Sequence, residues 1–252
     1  MSGKIFIVGI GPGSYDKMTL EAVHALESCD EIIGYTVYTD LLKPYFPEKL
    51  FESTPMKQEI ERCRLCFDRA LSGRTVALVC SGDSGVYGMA SPMLQLQNEN
   101  SAYGNVELCV IPGVTAATSG SALLGAPLNH DFCVISLSDL LTPWETIEKR
   151  LVAAIQGDFA VAIYNPSSHK RKDYLAKACR IMLDAGADKD RACGFVENIG
   201  REGTKVSVCT LSELAEKEVN MFTTVFIGNS QSEIIFSGGN RPVLLTKRGY
   251  KI

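Results

Sequence analysis

Three glycine-rich loops, each directly after a short apolar segment, carry the residue types best suited to hold a ligand. They span 9–13 (Gly-Ile-Gly-Pro-Gly), 81–88 (Ser-Gly-Asp-Ser-Gly-Val-Tyr-Gly) and 112–117 (Pro-Gly-Val-Thr-Ala-Ala). Glycine has no side chain, so backbone N–H and C=O groups in such loops can approach a bound molecule closely. Ligands of open α/β sheets bind beyond the carboxyl ends of strands, which is where the pattern puts all three loops.

The first loop matches neither of the two common nucleotide motifs. A dinucleotide fingerprint needs a glycine at position 14, where Ser14 stands, and an acidic residue near the end of the second strand, where 32–35 reads Ile-Ile-Gly-Tyr. No Gly-Lys-Ser or Gly-Lys-Thr follows, which excludes a nucleotide-triphosphate loop. A tight turn without a ligand remains an alternative for this loop. Asp83 and Thr115 also suit the N-caps of the helices that follow, so neither of the other loops identifies a cofactor alone.

The elements that position these loops predict an α/β protein of two domains. Strand and helix patterns alternate through 1–125, which favours a mostly parallel sheet flanked by helices. Glycine, proline and polar residues over 126–131 predict a linker. The segment 132–252 begins with the same alternation and ends in strand-rich sequence with a hairpin around 200–203, so we expect a mixed sheet there. Two α/β domains in tandem predict a ligand cleft between them.

The amino-acid composition argues against several kinds of binding partner. The 252 residues contain 25 Lys and Arg against 29 Asp and Glu, a net charge of -4 that offers no global cationic field for nucleic acid. No secretory signal and no run of about 20 apolar residues is evident, which predicts a cytoplasmic protein without a membrane partner. Cys63 and Cys66 form a Cys-x-x-Cys without a second pair of comparable spacing, so we predict no metal site.

Taken together, in this order and near these separations, the three loops resemble the tetrapyrrole methylases, the class III S-adenosylmethionine methyltransferases. The resemblance spans nearly the whole chain. Segments 130–132, 135–144, 164–168 and 221–229 resemble the branch that methylates carbon 17 of precorrin-3B or cobalt-factor III and contracts the ring in cobalamin biosynthesis. Uroporphyrinogen methylases and diphthine synthase share the first-domain loops without these later segments.

This resemblance implies S-adenosylmethionine as the cofactor, folded in the cleft between the domains, with the tetrapyrrole in an adjoining trough. The first domain would line the methionine and ribose side, and the second would close over the adenine. The cofactor contacts it implies are Pro12, Gly82, Asp83, Ser84, Thr115 and Ala116, with Tyr164, Asn165, Val196 and Thr223 from the second domain.

The chemistry implied by the resemblance divides into two steps. A sulfonium methyl is already electrophilic and an enamine-like ring carbon already nucleophilic, so methyl transfer mainly requires positioning. Ring contraction, with closure of a ring acetate as a lactone, would benefit from a group that moves protons. His130, at the linker, and Asp139, near a strand end, are the candidates. His130 in a linker also suits a plain hydrogen bond to the backbone.

Substrate contacts are predicted from the many carboxylates of a tetrapyrrole, which call for local basic groups. Arg201 ranks first among the basic residues because a hairpin tip can overhang the cleft, ahead of the basic run at 170–172. Many relatives have an acidic residue immediately after the glycine loop. This sequence has Ser14-Tyr15 there, followed by Asp16, which is a predicted substrate contact. Ser136 and Ser138 complete the predicted substrate contacts.

Alternatives in function remain open from the sequence alone. They are a family member that methylates a different corrin carbon, one that modifies ribosomal RNA or a protein in the manner of diphthamide synthesis, and a non-catalytic nucleotide-binding module. An RNA enzyme should show a basic surface stripe, against which the sequence pI of about 5.5 weighs. The resemblance also implies a homodimer.

Overall fold

The protein, described here by a computed structural model over residues 3–168 and 170–251, forms two compact units that divide between Thr115 and Ala116. Strands and helices alternate through the first unit, because apolar runs of strand length are separated by amphipathic stretches of helix length. Its elements are β1 (Lys4–Gly9), α1 (Leu20–Ser28), β2 (Glu31–Tyr35), α2 (Thr36–Leu42), β3 (Leu50–Thr54), α3 (Glu59–Leu71), β4 (Thr75–Cys80), α4 (Ala90–Glu99) and β5 (Glu107–Ile111).

The first unit is built on a five-stranded sheet of order β3-β2-β4-β1-β5, in which every pair is parallel. Leu78 of β4 points into a core formed with α3 and α4, and Val79 points into a second core formed with α1 and α2. Strands covered on both faces read as continuous apolar runs, as β4 does. Because all five strands run the same way, their carboxyl ends share one edge of the sheet.

Two helix starts in this unit depend on local conformation. Thr19 caps α1, its Oγ accepting from the backbone N–H of Ala22 at 3.1 Å. Helix α4 begins at Ala90, three residues after Tyr87, which has φ 53°. A bulky residue in the left-handed region cannot continue a right-handed helix, so the loop after β4 extends past Tyr87.

Among the residues that the structure describes, no helix is long and apolar enough to cross a membrane.

The second unit holds two sheets. Its elements are α5 (Ala116–Leu124), β6 (Gly125–Ala126), β7 (Phe132–Ser136), α6 (Trp144–Gln156), β8 (Ala160–Tyr164), α7 (Tyr174–Asp184), β9 (Ala192–Glu197), β10 (Lys205–Thr210), α8 (Leu211–Leu214), β11 (Thr223–Ile227), β12 (Ser232–Ser237) and β13 (Arg241–Thr246).

The larger of these sheets is mixed, as predicted. Its order is β10-β9-β11-β8-β7, with β7 and β8 parallel and the other pairs antiparallel. The hairpin expected around 200–203 joins β9 to β10. A smaller sheet of order β12-β13-β6 completes the unit.

The division between the units comes before the predicted linker at 126–131. Helix α5 packs on the larger sheet of the second unit so closely that a Cβ at Gly120 would lie 2.8 Å from the ring of Phe226. Strand β6 then pairs with β13, Gly125 facing Leu244. These contacts assign α5 and the glycine- and proline-rich stretch to the second unit, although the sequence pattern placed α5 in the domain 1–125.

Candidate functional site

The three glycine-rich loops of the first unit follow β1, β4 and β5 and meet at the carboxyl edge of the sheet. The loop after β1 pairs with the loop after β4 through two backbone hydrogen bonds. The N–H of Gly11 donates to the C=O of Gly82 at 3.0 Å, and the N–H of Gly82 donates back at 2.8 Å. Both glycines have positive φ, 61° and 69°, which glycine adopts without strain. The two loops therefore form one backbone platform.

The third loop joins this platform by direct backbone packing. A Cβ built at Gly113 would lie 2.1 Å from the C=O of Gly82 and 2.4 Å from the C=O of Gly9. A Cβ at Gly9 would lie 2.7 Å from the same Gly82 oxygen. These distances are far below van der Waals contact, so only glycine allows the three loops to approach as they do.

Two polar side chains hold the second loop against the third loop and the end of β5 by hydrogen bonds. Asp83 accepts the N–H of Gly85 at 2.8 Å with one carboxylate oxygen and the N–H of Gly113 at 3.0 Å with the other. Ser84 is buried and donates its hydroxyl to the C=O of Ile111 at 2.9 Å. Asp83 therefore ties the second loop to the third. The alternative of a cap on the following helix is not what the structure has, because that helix begins only at Ala90.

The structure brings most predicted first-unit residues to this edge. Pro12 is buried in the loop after β1, and Gly82, Asp83 and Ser84 form the loop after β4. Thr115 lies in the third loop, directly before α5. Asp16 lies exposed in a single 3-10 turn, Tyr15–Lys17, which follows the first loop.

The predicted second-unit residues also meet at one edge of a sheet. The parallel pair β7 and β8 aligns Ser136 with Tyr164 at their carboxyl ends. Strand β11 runs antiparallel to β8 and β9, so its first residue, Thr223, lies at this edge together with the end of β9, where Val196 pairs with Thr224. Register therefore brings together residues that lie far apart in the sequence.

Tyr164 links this edge to the start of α5. Its hydroxyl oxygen accepts the N–H of Ala117 at 2.6 Å, so Ala116, the first residue of the helix, lies beside it. Tyr164 and Val196 both pack in the small core that α5 forms with the sheet. The predicted cofactor contacts of the second unit thus share one local environment.

The predicted substrate contacts Ser136 and Ser138 take part in a hydrogen-bond network across the ends of β7 and β8. Ser136 Oγ accepts from Asn165 Nδ2 at 2.9 Å and from the N–H of Ser138 at 3.2 Å. Asn165 has φ 53°, a conformation that asparagine tolerates better than most residues. Ser136 and Asn165 therefore shape the two loops, whatever ligand they contact.

Asp139 lies at the centre of a second cluster, which we call the clamp: Asp139, Arg171 and Tyr174. One oxygen of Asp139 accepts from Arg171 Nη1 at 3.2 Å, and the other accepts from the hydroxyl of Tyr174 at 2.6 Å. The same Arg171 nitrogen donates to Ser138 Oγ at 2.8 Å. The clamp joins the loop after β7 to the segment that leads into α7.

The clamp sets the electrostatic surroundings of Asp139. The hydrogen bond from Tyr174 and the charge of Arg171 hold the pKa of Asp139 below its ordinary range, and the same bond raises the pKa of the Tyr174 hydroxyl. Both oxygens of Asp139 already accept hydrogen bonds in the clamp, so the side chain also positions its neighbours. An ionised carboxylate can accept a proton, and a role of Asp139 in proton transfer stays a prediction.

A Tyr174→Phe variant should raise the pKa of Asp139, because it removes the hydrogen bond that does most to lower the pKa of this carboxyl group. Carboxyl-selective NMR titration measures this shift, with Tyr250→Phe as the matched control. In the wild-type protein the stability contributed by Asp139 is complete above about pH 4 and is lost as the pH falls through the lowered pKa. The variant should lose less stability over that acid range. An unchanged Asp139 titration would contradict the clamp geometry.

The two candidates for proton transfer, His130 and Asp139, lie at opposite ends of β7. His130 is exposed and lies just before β7, whereas Asp139 lies just after it. A strand of five residues spans about 16 Å. The two side chains therefore belong to opposite edges of the sheet, although they are close in the sequence.

Arg201 occupies the turn after β9, at the same edge as Thr223. Its N–H donates to the C=O of Asn198 at 3.0 Å, and its guanidinium lies 5.6 Å from the ring centre of Phe222. Sequence reasoning missed Tyr174 and ranked Arg171 below Arg201. Only the parallel pairing of β7 with β8, which no local pattern reveals, makes these two residues neighbours of Asp139.

Comparison with known proteins decides the family. A family model described as Tetrapyrrole (Corrin/Porphyrin) Methylases matches residues 4–215, most of the chain. The chain belongs to the tetrapyrrole methylase family. The family predicted from the glycine-rich loops is confirmed, and with it the enzyme class, an S-adenosylmethionine-dependent C-methyltransferase.

Several tetrapyrrole methylases are similar to the chain over its whole length. The probable cobalt-factor III C(17)-methyltransferase of Salmonella typhimurium is 42% identical, and the match covers 98% of this chain and 99% of that protein. The precorrin-3B C(17)-methyltransferase of a Sinorhizobium species is 35% identical, over 99% of this chain and 98% of that protein. Two further relatives, each 41% identical, are longer, and the chain spans 46% and 53% of their lengths.

Solved tetrapyrrole methylase structures share the fold. The crystal structure of the methyltransferase CobJ matches with a TM-score of 0.85 and 32% identity, covering 98% of this chain and 100% of that one. Uroporphyrin-III C-methyl transferase from Thermus thermophilus, solved with S-adenyl homocysteine, has a TM-score of 0.70 at 21% identity, over 90% and 97% of the two chains, which is a likeness of fold. The predicted fold class, two α/β domains with a parallel and a mixed sheet, is confirmed.

Proposed function

We propose that the chain methylates carbon 17 of cobalt-factor III, with contraction of the ring, in cobalamin biosynthesis. The observation that carries this proposal is the 42% identity, over nearly the full length of both chains, to a protein named for that reaction. The relative named for precorrin-3B is less similar, at 35%, which favours the cobalt-containing ring as the substrate. The predicted alternative, precorrin-3B itself, is therefore the second candidate.

The platform of the first unit fits S-adenosylmethionine as the methyl donor. Its three loops pack backbone against backbone where a Cβ could not be accommodated, and Asp83 and Ser84 hold that backbone by hydrogen bonds before any ligand binds. S-adenosylmethionine supplies an electrophilic methyl group when bound. The residues proposed to hold it on this unit are Pro12, Gly82, Asp83, Ser84 and Thr115.

Residues at the sheet edge of the second unit are proposed as further cofactor contacts. Tyr164 is oriented by the N–H of Ala117, and Asn165 by Ser136, so both side chains are set before a ligand binds. Preorganised groups lose little entropy on binding, which favours accurate positioning of a methyl donor. The remaining proposed contacts at this edge are Ala116, Val196 and Thr223.

Substrate carboxylates are proposed to reach Arg201, whose turn lies at the same edge as Thr223. Asp16, exposed after the first loop, stays a proposed substrate contact. Ser136 and Ser138 are proposed to act on the substrate through the loops they shape, since their hydroxyl oxygens already accept hydrogen bonds. His130 and Asp139 stay the proposed candidates for proton transfer during ring contraction.

Anaerobic incubation with S-adenosylmethionine labelled in its methyl group tests the function directly. Cobalt-factor III should gain one labelled methyl group with a change in absorbance, and metal-free precorrin-3B should react more slowly. NMR of the product should locate the label at carbon 17. Label on a different corrin carbon would support the alternative within the family, and no label on either ring would overturn the proposal and return attention to a macromolecular substrate.

Homodimerisation and a cytoplasmic location remain predictions from the sequence. Sedimentation equilibrium of the purified chain measures the first, and fractionation of the source cells measures the second.

A further inference from the structure

Two consecutive leucines at the tip of the loop after β7 are exposed to solvent. Leu140 is 65% exposed and Leu141 is 98% exposed. Single exposed apolar residues are common on protein surfaces, but a pair at the tip of one loop presents a continuous apolar contact. The loop spans 137–143 and connects the end of β7 to α6, and we call it the leucine loop.

The leucine loop is fastened on both sides of its tip. Before the tip, Leu137 is buried and donates its N–H to the C=O of Tyr164 at 2.9 Å, and the clamp holds Asp139. After the tip, the ring of Trp144 packs edge-on against Tyr174 with centroids 4.6 Å apart. Tyr174 therefore contacts Asp139 within the loop and Trp144 directly after it.

Arg171 is the residue that makes this fastening specific. Its side chain is only 16% exposed, and its guanidinium bonds to Ser138, Asp139 and, through Nε at 3.0 Å, Ser168. An arginine with several fixed acceptors holds its partners in one geometry, which a lysine would not reproduce. These hydrogen bonds join the loop after β7, which carries the two exposed leucines, to the loop after β8.

We propose that the leucine loop is a contact for the tetrapyrrole, in which Leu140 and Leu141 pack against the macrocycle and the clamp positions them. The inference rests on the proposed function. Two observations support this occupant: the loop follows the carboxyl end of β7, and it shares that edge with Tyr164 and Thr223. A conjugated macrocycle offers an apolar face that matches two leucine side chains. A loop that is already fastened loses little entropy when the ring binds.

Steady-state kinetics of the full chain tests the contact, once wild-type turnover has been established with cobalt-factor III. Leu141→Ser should raise the KM for the tetrapyrrole about tenfold, the loss expected when one buried leucine no longer packs. The Kd of S-adenosylhomocysteine, measured by calorimetry, should stay within about twofold. Leu71→Ser, at an exposed leucine that ends α3, is the matched control and should leave both constants unchanged.

Variants of the clamp test the positioning role. Arg171→Met should raise the same KM with a smaller effect on kcat, and Arg171→Lys should recover only part of the loss. Combined with Leu141→Ser, Arg171→Met should add less than its separate effect, because both changes act on one contact. Arg191→Met is the control: Arg191 is similarly buried and pairs with Asp158 at 3.4 Å, at the opposite edge of the sheet. If Arg171→Met does not fold, Tyr174→Phe takes its place.

Each outcome bears on the inference separately from the proposed function. Wild-type turnover with an unchanged KM in Leu141→Ser would overturn the contact and leave the function standing. A Leu141→Ser chain whose sedimentation shows a smaller assembly would also overturn it, because the leucines would then pack against a second copy. A wild-type chain that neither binds nor methylates either tetrapyrrole would overturn the function as well.

Discussion

Replacement of Gly113 by alanine should disrupt the three-loop platform and with it both stability and cofactor binding. The added methyl group would have backbone oxygens of Gly82 and Gly9 at 2.1 and 2.4 Å, so the loops must move apart by more than a side-chain rotation can absorb. Overpacking against fixed backbone belongs at the upper end of its usual range, about 3 kcal/mol. The midpoint of thermal unfolding should fall by about 10 °C.

The same Gly113→Ala protein should bind S-adenosylhomocysteine at least tenfold more weakly, because the backbone proposed to hold the ligand has shifted. Calorimetry measures this affinity. Gly104→Ala is the matched control. Gly104 has a helical φ of -59°, and an added Cβ there would have its nearest neighbour, Ser101 O, at 3.4 Å. Equal stability and affinity in the two variants would show that the three loops do not depend on their close approach.

Asp83→Ala should weaken the binding of S-adenosylhomocysteine by about 10- to 100-fold. The side chain accepts two backbone N–H groups, from Gly85 and Gly113, and hydrogen bonds to a charged partner contribute about 1.5–3 kcal/mol each before solvent screening. Asp83 is only half-buried, so water will replace part of this contribution. Loss of the Asp83 side chain should separate the second loop from the third and should have a smaller effect on the stability of the unit.

Two further variants separate this role from a general loss of stability. Asp83→Asn retains one carbonyl oxygen as an acceptor and should bind with intermediate affinity. Asp30→Ala removes the same kind of contact at the opposite edge of the unit, where Asp30 accepts the N–H of Thr75 at 2.8 Å, and should lower stability without changing affinity. Unchanged affinity in Asp83→Ala would remove Asp83 from the proposed cofactor contacts.

Local sequence patterns were sufficient for the central elements of both units. Strands such as β1 and β4 are buried on both faces and read as apolar runs, and helices such as α3 and α6 carry apolar residues at helical spacing. Strand β3 was missed because it is an edge strand that reads Leu-Phe-Glu-Ser-Thr and has no fully buried residue. Its identity depends on pairing with β2, which no local pattern contains.

The sequence by itself determined the family, the two α/β domains and the three glycine-rich loops, because each of these can be recognised from runs of contiguous residues. Tertiary structure alone decided which side chains are neighbours. The parallel register of β7 and β8 joins Asp139 to Arg171 and Tyr174, and the length of β7 separates Asp139 from His130. Sheet register is set by contacts between distant segments, so neither the clamp nor the division before α5 follows from spacing along the chain.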